Sequence, residues 1–189
     1  KSGDRILISG NVYGGTYRLL ESVYAGFGIT YAAAEMNTRE TLDAAITPDV
    51  RAIFIETPTN PLMDVTDISL VVEVARAHDV LTILENTFMT PYLQRPIDLG
   101  VDIVVHSATK YLGGHNDLGA GLVAVRTIEL AEKIGFLQNT QGAVLPPFDC
   151  YLLSRGIKTL GVRLDWQTRS ALQIATALNE NPAITVLHY

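Results

Sequence analysis

Residues 101–117, VDIVVHSATKYLGGHND, pass from an apolar run of strand length straight into two hydroxyls, one lysine and a glycine pair. A short, continuously apolar run suits a strand buried on both faces, as in a parallel sheet covered by helices. Four more runs of this kind are RILIS (5–9), AIFIE (52–56), LTILEN (81–86) and GLVAV (121–125). Helical patterns lie between them at 15–26, 38–45 and 68–78, the last opened by Thr66 or Asp67 as a capping residue. Strands alternating with helices predict an α/β fold with a mostly parallel sheet flanked by helices.

The pattern changes near Ile128. IELAEKIGFLQNT (128–140) is helical, Pro146-Pro147 breaks the chain, and a long amphipathic run extends from Asp149 towards Asn179. We therefore expect an α/β domain over 1–142, incomplete at its N-terminus. Residues 143–189 are read as a helical connection and the start of a truncated C-terminal domain. The closing NPAITVLHY (181–189) reads as the beginning of a strand whose partners are missing, and the first residue, Lys1, hints at a segment of a longer chain.

With 189 residues, 48% of them hydrophobic, the chain can bury a sizeable core. A formal net charge of −6 argues against a nucleic-acid binder, which needs a basic surface. No apolar run approaches the roughly 18 residues of a membrane helix, and the N-terminus lacks a signal-peptide core, so the expected compartment is the cytoplasm. Cys150, the one cysteine, is read as a packed core residue. His78, His106, His115 and His188 have no metal-ligand spacing, so no metal is expected.

In open parallel sheets, ligands sit beyond the carboxyl ends of the strands. Four stretches there could carry chemistry. In VVHSATKY, period-2 alternation would put Ser107 and Thr109 on one side, able to hold phosphate oxygens; the adjacent Lys110, desolvated, could form a Schiff base with an aldehyde, or be a solvated loop cation. In ILENTFMTP, Glu85 ends a strand and could face a cationic ring nitrogen, or turn to solvent or to a basic partner. In NVYGGTYRLL, Tyr13 could lie flat on a planar ligand, or simply pack on a strand-to-helix turn opened by Gly14 and Gly15. In ETPTNPLMDV, two prolines stiffen a loop that would fix Asn60 towards a ligand oxygen, though Asn-Pro turns are common.

Taken together and in this order, YGGTYR, ETPTNPLMDV, ENTFMTPYLQRPIDLGVDIVVHSATKYLGGHND and LLSRGIKTLGVRL resemble signature segments of the Cys/Met-metabolism family of pyridoxal-phosphate (PLP) enzymes. That family includes cystathionine γ-synthase, β-lyase and γ-lyase, and the resemblance runs from residue 1 to 189. It implies the aspartate-aminotransferase-like sheet of fold type I, a PLP cofactor and a small amino-acid substrate. Lys110 would bind the cofactor covalently and shuttle substrate protons, Ser107 and Thr109 would bind its phosphate, and Tyr13 would stack on the ring and act in proton transfer. Asn60 would hydrogen-bond the ring hydroxyl oxygen, Glu85 would pair with the ring nitrogen, and Thr87 would sit beside the ring. His115, Asp117 and Glu56 match family segments in structural roles.

The chain departs from the family pattern at Glu85, where an aspartate is usual. The extra methylene adds about 1.5 Å of reach, so the cofactor must shift or the side chain must fold back. The upstream phosphate-binding turn and the downstream arginine for the substrate carboxylate are both missing, and neither Arg155 nor Arg163 is assigned that role. The resemblance further implies a homo-oligomer, a tetramer in the full-length form. The expected activity is a carbon–sulfur lyase acting on cystathionine, with γ-synthase or a non-catalytic fragment as alternatives. A nucleotide-binding α/β domain using YGGT as its phosphate turn is weaker, because no GxGxxG or GxxxxGK[ST] pattern is present.

Overall fold

The computed structural model describes residues 1–189. Six strands, β1 (Arg5–Ser9), β2 (Thr30–Ala34), β3 (Val50–Glu56), β4 (Leu81–Glu85), β5 (Ile103–Ser107) and β6 (Gly121–Val125), form one sheet in the order β2-β1-β3-β4-β5-β6. Pairing is parallel from β2 through β5, with Leu7 opposite Ile53, Ile55 opposite Leu84 and Leu84 opposite Val104. The α/β fold read from the alternation is thus the observed one. β2 is the strand that the apolar runs did not announce. Its sequence, TYAAA, carries no hydrophobic run or alternation, and it lies at the sheet edge, partly exposed.

The helices α1 (Gly14–Ser22), α2 (Arg39–Ala45), α3 (Ile68–Ala77), α4 (Thr90–Leu93) and α5 (Ile128–Gln141) connect or follow these strands. Thr38 caps α2 by accepting from the Thr41 N–H. Asp67, rather than Thr66, caps α3, its carboxylate accepting from the Ser69 and Leu70 N–H groups. Ile68, Val71, Val72, Val74 and Ala75 of α3 are buried and join Leu7, Ile53, Ile55, Leu84 and Val104 in the main core. Removing a buried aliphatic side chain from such a core costs about 2–5 kcal/mol, so this face alone anchors α3.

Burial on both faces holds less widely than the apolar runs suggest. In β4 and β5 buried residues alternate with half-buried or, at Leu81, exposed ones, and β6 is exposed except for a half-buried Val125. Asp102, just before β5, secures this side of the sheet. Its carboxylate accepts from the Thr82 N–H and hydroxyl at 2.9 Å each, and from Arg126 Nη2 at 2.7 Å, while its own N–H donates to Thr82 Oγ1. Burial raises the Asp102 pKa, but the Thr82 and Arg126 hydrogen bonds outweigh it and hold the carboxyl below its usual value.

The chain divides into two compact units, Lys1–His106 with Gly121–Val144, and Ser107–Ala120 with Leu145–Tyr189. In the second, the residues after β5 coil back on themselves. The Lys110 N–H donates to Ser107 O, the Gly113 N–H to Ala108 O and the Gly114 N–H to Lys110 O. Ala108 and Leu112 from this loop share a small core with Leu153 of α6 (Pro147–Ile157) and with Leu160 and Leu164 of α7 (Leu160–Asn179).

The single amphipathic run expected over 149–179 is therefore two helices. Thr159 Oγ1 and Arg163 Nη2 both donate to Gly156 O, and Arg163 Nε donates to Thr159 Oγ1. These groups satisfy a carbonyl that the ending helix leaves free, which stabilises the break. Residues 181–189 form turns and coil rather than the expected strand. Cys150 is exposed rather than packed, because it sits in the first turns of α6 ahead of Leu153, where this unit's core begins.

Two outcomes follow from this framework. Asp102→Ala should destabilise the protein by about 2 kcal/mol in chemical denaturation, the worth of charged hydrogen bonds that are lost. The Asp102 carboxyl is depressed in the folded state, so its contribution is present above the unfolded carboxyl pKa, about 3.9, and disappears as pH falls through the lower folded value. The variant should lack that part of the acid loss of stability. At Gly156 an added Cβ would lie 2.1 Å from Gly113 O. Gly156→Ala should cost about 1–3 kcal/mol and raise hydrogen exchange in residues 108–114, read by peptide-level mass spectrometry.

Candidate active site

At the carboxyl end of β1 the chain turns through Tyr13 into α1. Tyr13 is the N-cap residue and uses no side-chain cap, so its ring is left for other contacts, with 58% of the residue exposed. A Cβ on Gly15 would stand 2.3 Å from Tyr13 Cε1, so the ring occupies the space that any side chain at 15 would need. The glycine pair read from the sequence as a turn thus makes room for an aromatic.

At the end of β3 lies Glu56, buried to 2% exposure. One oxygen of its carboxylate accepts from the Tyr13 N–H at 2.7 Å, and the other from the Asn60 N–H at 2.8 Å. Its own N–H donates to Ser9 Oγ at the end of β1. The loop beyond is closed by the Asp64 N–H donating to Thr59 Oγ1, the Thr66 N–H donating to Thr57 Oγ1, and Asn11 Nδ2 donating to Asp64 Oδ2 at 2.6 Å. The Thr57–Pro58 and Asn60–Pro61 peptides are cis. Asn60 itself is exposed.

At the end of β4, Glu85 Oε1 accepts from the Thr87 N–H at 3.1 Å and contacts the Thr87 hydroxyl. The Glu85 carboxylate is thus turned towards its own loop. Asn86, 1% exposed, exchanges hydrogen bonds with Gln94, donating to its carbonyl and accepting from its Nε2, both at 2.9 Å. Gln94 Nε2 also lies 3.2 Å from Thr57 O, which ties the β4 loop to the β3 loop. His106, near the end of β5, is buried with Nδ1 unpartnered; burial pushes its pKa down, opposed by a backbone hydrogen bond with Asn86.

In the second unit, Ser107 is the last residue of β5, while Thr109 and Lys110 lie in the following turn rather than on a continuing strand. Thr109 Oγ1 accepts from the Ala120 N–H at 2.9 Å, and the Thr109 N–H donates to Ala120 O, so strand alternation is not what orients this hydroxyl. Lys110 is exposed on a loop whose backbone is pinned on both sides. His115 Nδ1 lies 2.9 Å from Gly113 O. Arg163 donates through Nε to Thr159 and through Nη2 to Gly156, its buried Nη1 has no partner, and a Cβ on Gly114 would stand 2.3 Å from its guanidinium. Burial lowers its pKa.

The structure thus joins Tyr13 to Asn60 through Glu56, and Glu85 to Thr87 directly. Sequence reasoning did not find the Asn86–Gln94 pair or the buried Thr57 and Thr59. A polar residue directly after an apolar strand is the signal that could have drawn attention to Asn86, since burial there demands partners.

Comparison with known proteins adds a family. The chain matches the family described as Cys/Met metabolism PLP-dependent enzyme over residues 1–189. It is 50% identical over 188 residues to a cystathionine beta-lyase of Lactococcus lactis subsp. cremoris (strain MG1363), covering 100% of this chain and 50% of that protein. It is 49% identical over 189 residues to a cystathionine gamma-synthase/O-acetylhomoserine (thiol)-lyase of Bacillus subtilis (strain 168), covering 100% and 51%. The structure of cystathionine gamma-lyase from Lactobacillus plantarum complexed with L-serine superposes with a TM-score of 0.96 at 49% identity, covering 98% of this chain and 49% of that one. The chain spans about half the length of the curated relatives it matches. Sequence, sheet topology and these matches together make the chain a member of the Cys/Met metabolism family of PLP-dependent enzymes.

Proposed function

We propose that this chain provides the cofactor-binding part of a PLP-dependent carbon–sulfur lyase that acts on cystathionine by β- or γ-elimination. The observation that carries the reading is Glu56, which holds the backbones of Tyr13 and Asn60 on one carboxylate, beside a strand that ends in Glu85. Family membership and relatives named for cystathionine lyases support it.

The donor set suits PLP. An exposed lysine suits its aldehyde, two hydroxyls its phosphate, an amide its ring oxygen, a carboxylate a protonated ring nitrogen, and an aromatic face its ring. When bound, the cofactor supplies an electron sink for negative charge on the substrate α-carbon. Lys110 would be the covalent attachment point and would move the substrate protons as general acid and base. Ser107 and Thr109 bind the phosphate. Thr109 Oγ1 accepts from the Ala120 N–H at 2.9 Å and donates to Ala120 O at 3.3 Å, a longer bond that its proton would exchange for one to a phosphate oxygen. Tyr13 would stack on the ring and take part in proton transfer, Asn60 would bind the ring oxygen, and Thr87 would lie beside the ring. Glu85, held by Thr87, would keep the ring nitrogen protonated.

A γ-replacement on an O-acylhomoserine, as in cystathionine γ-synthase, is the second reading, favoured by the 49% identity to a relative of that name. The substrate in either case is a small amino acid, and the enzyme is expected to work as a homo-oligomer, a tetramer, in the cytoplasm. No helix is long and apolar enough to cross a membrane.

Borohydride reduction of the purified protein followed by peptide mapping should place a phosphopyridoxyl group on Lys110; a label elsewhere, or none on protein incubated with PLP, would remove the reading. Lys110→Ala should lower turnover by at least about 10²-fold, the usual worth of a positioned acid–base group. Glu85→Ala should lower kcat by about 10²-fold through loss of the charge partner, and activity equal to the parent would take Glu85 out of the reaction. Cystathionine turnover yielding pyruvate identifies β-elimination and 2-oxobutyrate identifies γ-elimination, whereas neither product favours the synthase.

A further inference from the structure

Glu56 belongs to a loop motif that the sequence offered only as structural, yet its geometry does more than stabilise. It is a carboxylate at 2% exposure whose two oxygens accept from two backbone N–H groups, Tyr13 at 2.7 Å and Asn60 at 2.8 Å, and these belong to different strand-end loops. The Tyr13 contact spans 43 positions in the chain and the Asn60 contact 4. We propose that Glu56 is a positioning residue that sets the spacing of Tyr13 and Asn60, so that ring stacking and ring-oxygen recognition are presented together to the cofactor.

The proposal deepens the PLP reading and rests on it. Three features support it. Both links use backbone donors, so the Tyr13 ring and the Asn60 amide stay available for a ligand. Both residues are exposed, so packing alone does not hold their loops. Ser9 Oγ accepts from the Glu56 N–H, which fixes the base of the carboxylate at the ends of β1 and β3. A charged acceptor shared by two amides is a stiffer link than two separate neutral hydrogen bonds.

Glu56→Gln is the first test. The carboxamide keeps one acceptor oxygen but turns an NH₂ towards the other backbone N–H, so one of the two links is lost. Glu56→Asp, which keeps the charge but is one methylene too short to span both amides, is the companion should the Gln variant fold poorly. The readouts are amide exchange, PLP retention on dialysis, and visible circular dichroism of the bound cofactor, which reports the asymmetry around its ring. In the parent, the Tyr13 and Asn60 amides should be protected despite their exposed side chains. In the variants they should exchange about tenfold faster or more, with buried amides of β3 and β4 unchanged. PLP should then be lost about tenfold more readily and its dichroism should weaken.

Unprotected Tyr13 and Asn60 amides in the parent would overturn the proposal. So would faster exchange spread over the whole sheet with unaltered cofactor dichroism, which marks a purely structural residue. Borohydride labelling of Lys110 in the parent tests the underlying PLP reading separately. If Lys110 is labelled while both variants keep parent-like exchange, retention and dichroism, the positioning role alone fails; if Lys110 is never labelled, the cofactor reading fails first.

Discussion

The arrangement at the carboxyl edge of the sheet depends on one buried carboxylate. An ionised side chain at 2% exposure survives only with strong hydrogen-bond partners, because uncompensated burial of charge costs several kcal/mol. Glu56 takes those partners from the chain's own backbone. Amide N–H groups are already fixed by the peptide geometry, so recruiting them avoids the entropy of ordering another long side chain. The consequence is mechanical: loops that begin at Tyr13 and reach Asn60 are tied at a shared point beneath their exposed side chains.

The same logic recurs in the second unit, with close backbone approach in place of charge. Gly113 and Gly156 lie so near each other that a methyl group at 156 would overlap a carbonyl, and Gly114, at φ +76°, lies against the Arg163 guanidinium. The Lys110 backbone is hydrogen-bonded on either side, through its N–H to Ser107 O and through its carbonyl to the Gly114 N–H. An exposed side chain on a pinned backbone would suit the lysine chemistry proposed above, since misplacement by about 1 Å can cost a hundredfold in rate. The LLSRGIKTLGVRL segment therefore supports the lysine loop, with Gly156 and Arg163 as its points of contact.

Strands β1, β3, β4, β5 and β6 were legible because each is an apolar run of the right length, and the strand-end residues followed from the geometry of parallel sheets. β2 was not, since TYAAA owes its pairing to β1 rather than to any pattern of its own. The break between α6 and α7 was hidden because hydrogen bonds from Thr159 and Arg163 stabilise it, and amphipathic periodicity carries no record of them. Glu56 posed a harder problem. Its partners are backbone amides, which every residue but proline owns, so nothing in the identity of Tyr13 or Asn60 announces the link. Cys150 was misread because composition favours burial of a lone cysteine, whereas its exposure is set by where the Leu153 core begins.

Glu85 shows how the sheet register and the extra methylene act together. Glu56 and Glu85 are paired positions on neighbouring parallel strands, so two like charges start from adjacent backbones. Like charges at such positions destabilise a sheet unless each finds its own donors. Here the two diverge, Glu56 reaching the Tyr13 and Asn60 amides and Glu85 turning onto Thr87. The amide and hydroxyl of Thr87 draw Glu85 Oε1 back towards its own loop, which takes up part of the about 1.5 Å that glutamate adds over aspartate. Thr87, two residues away, thus sets where the Glu85 charge comes to rest, away from that of Glu56.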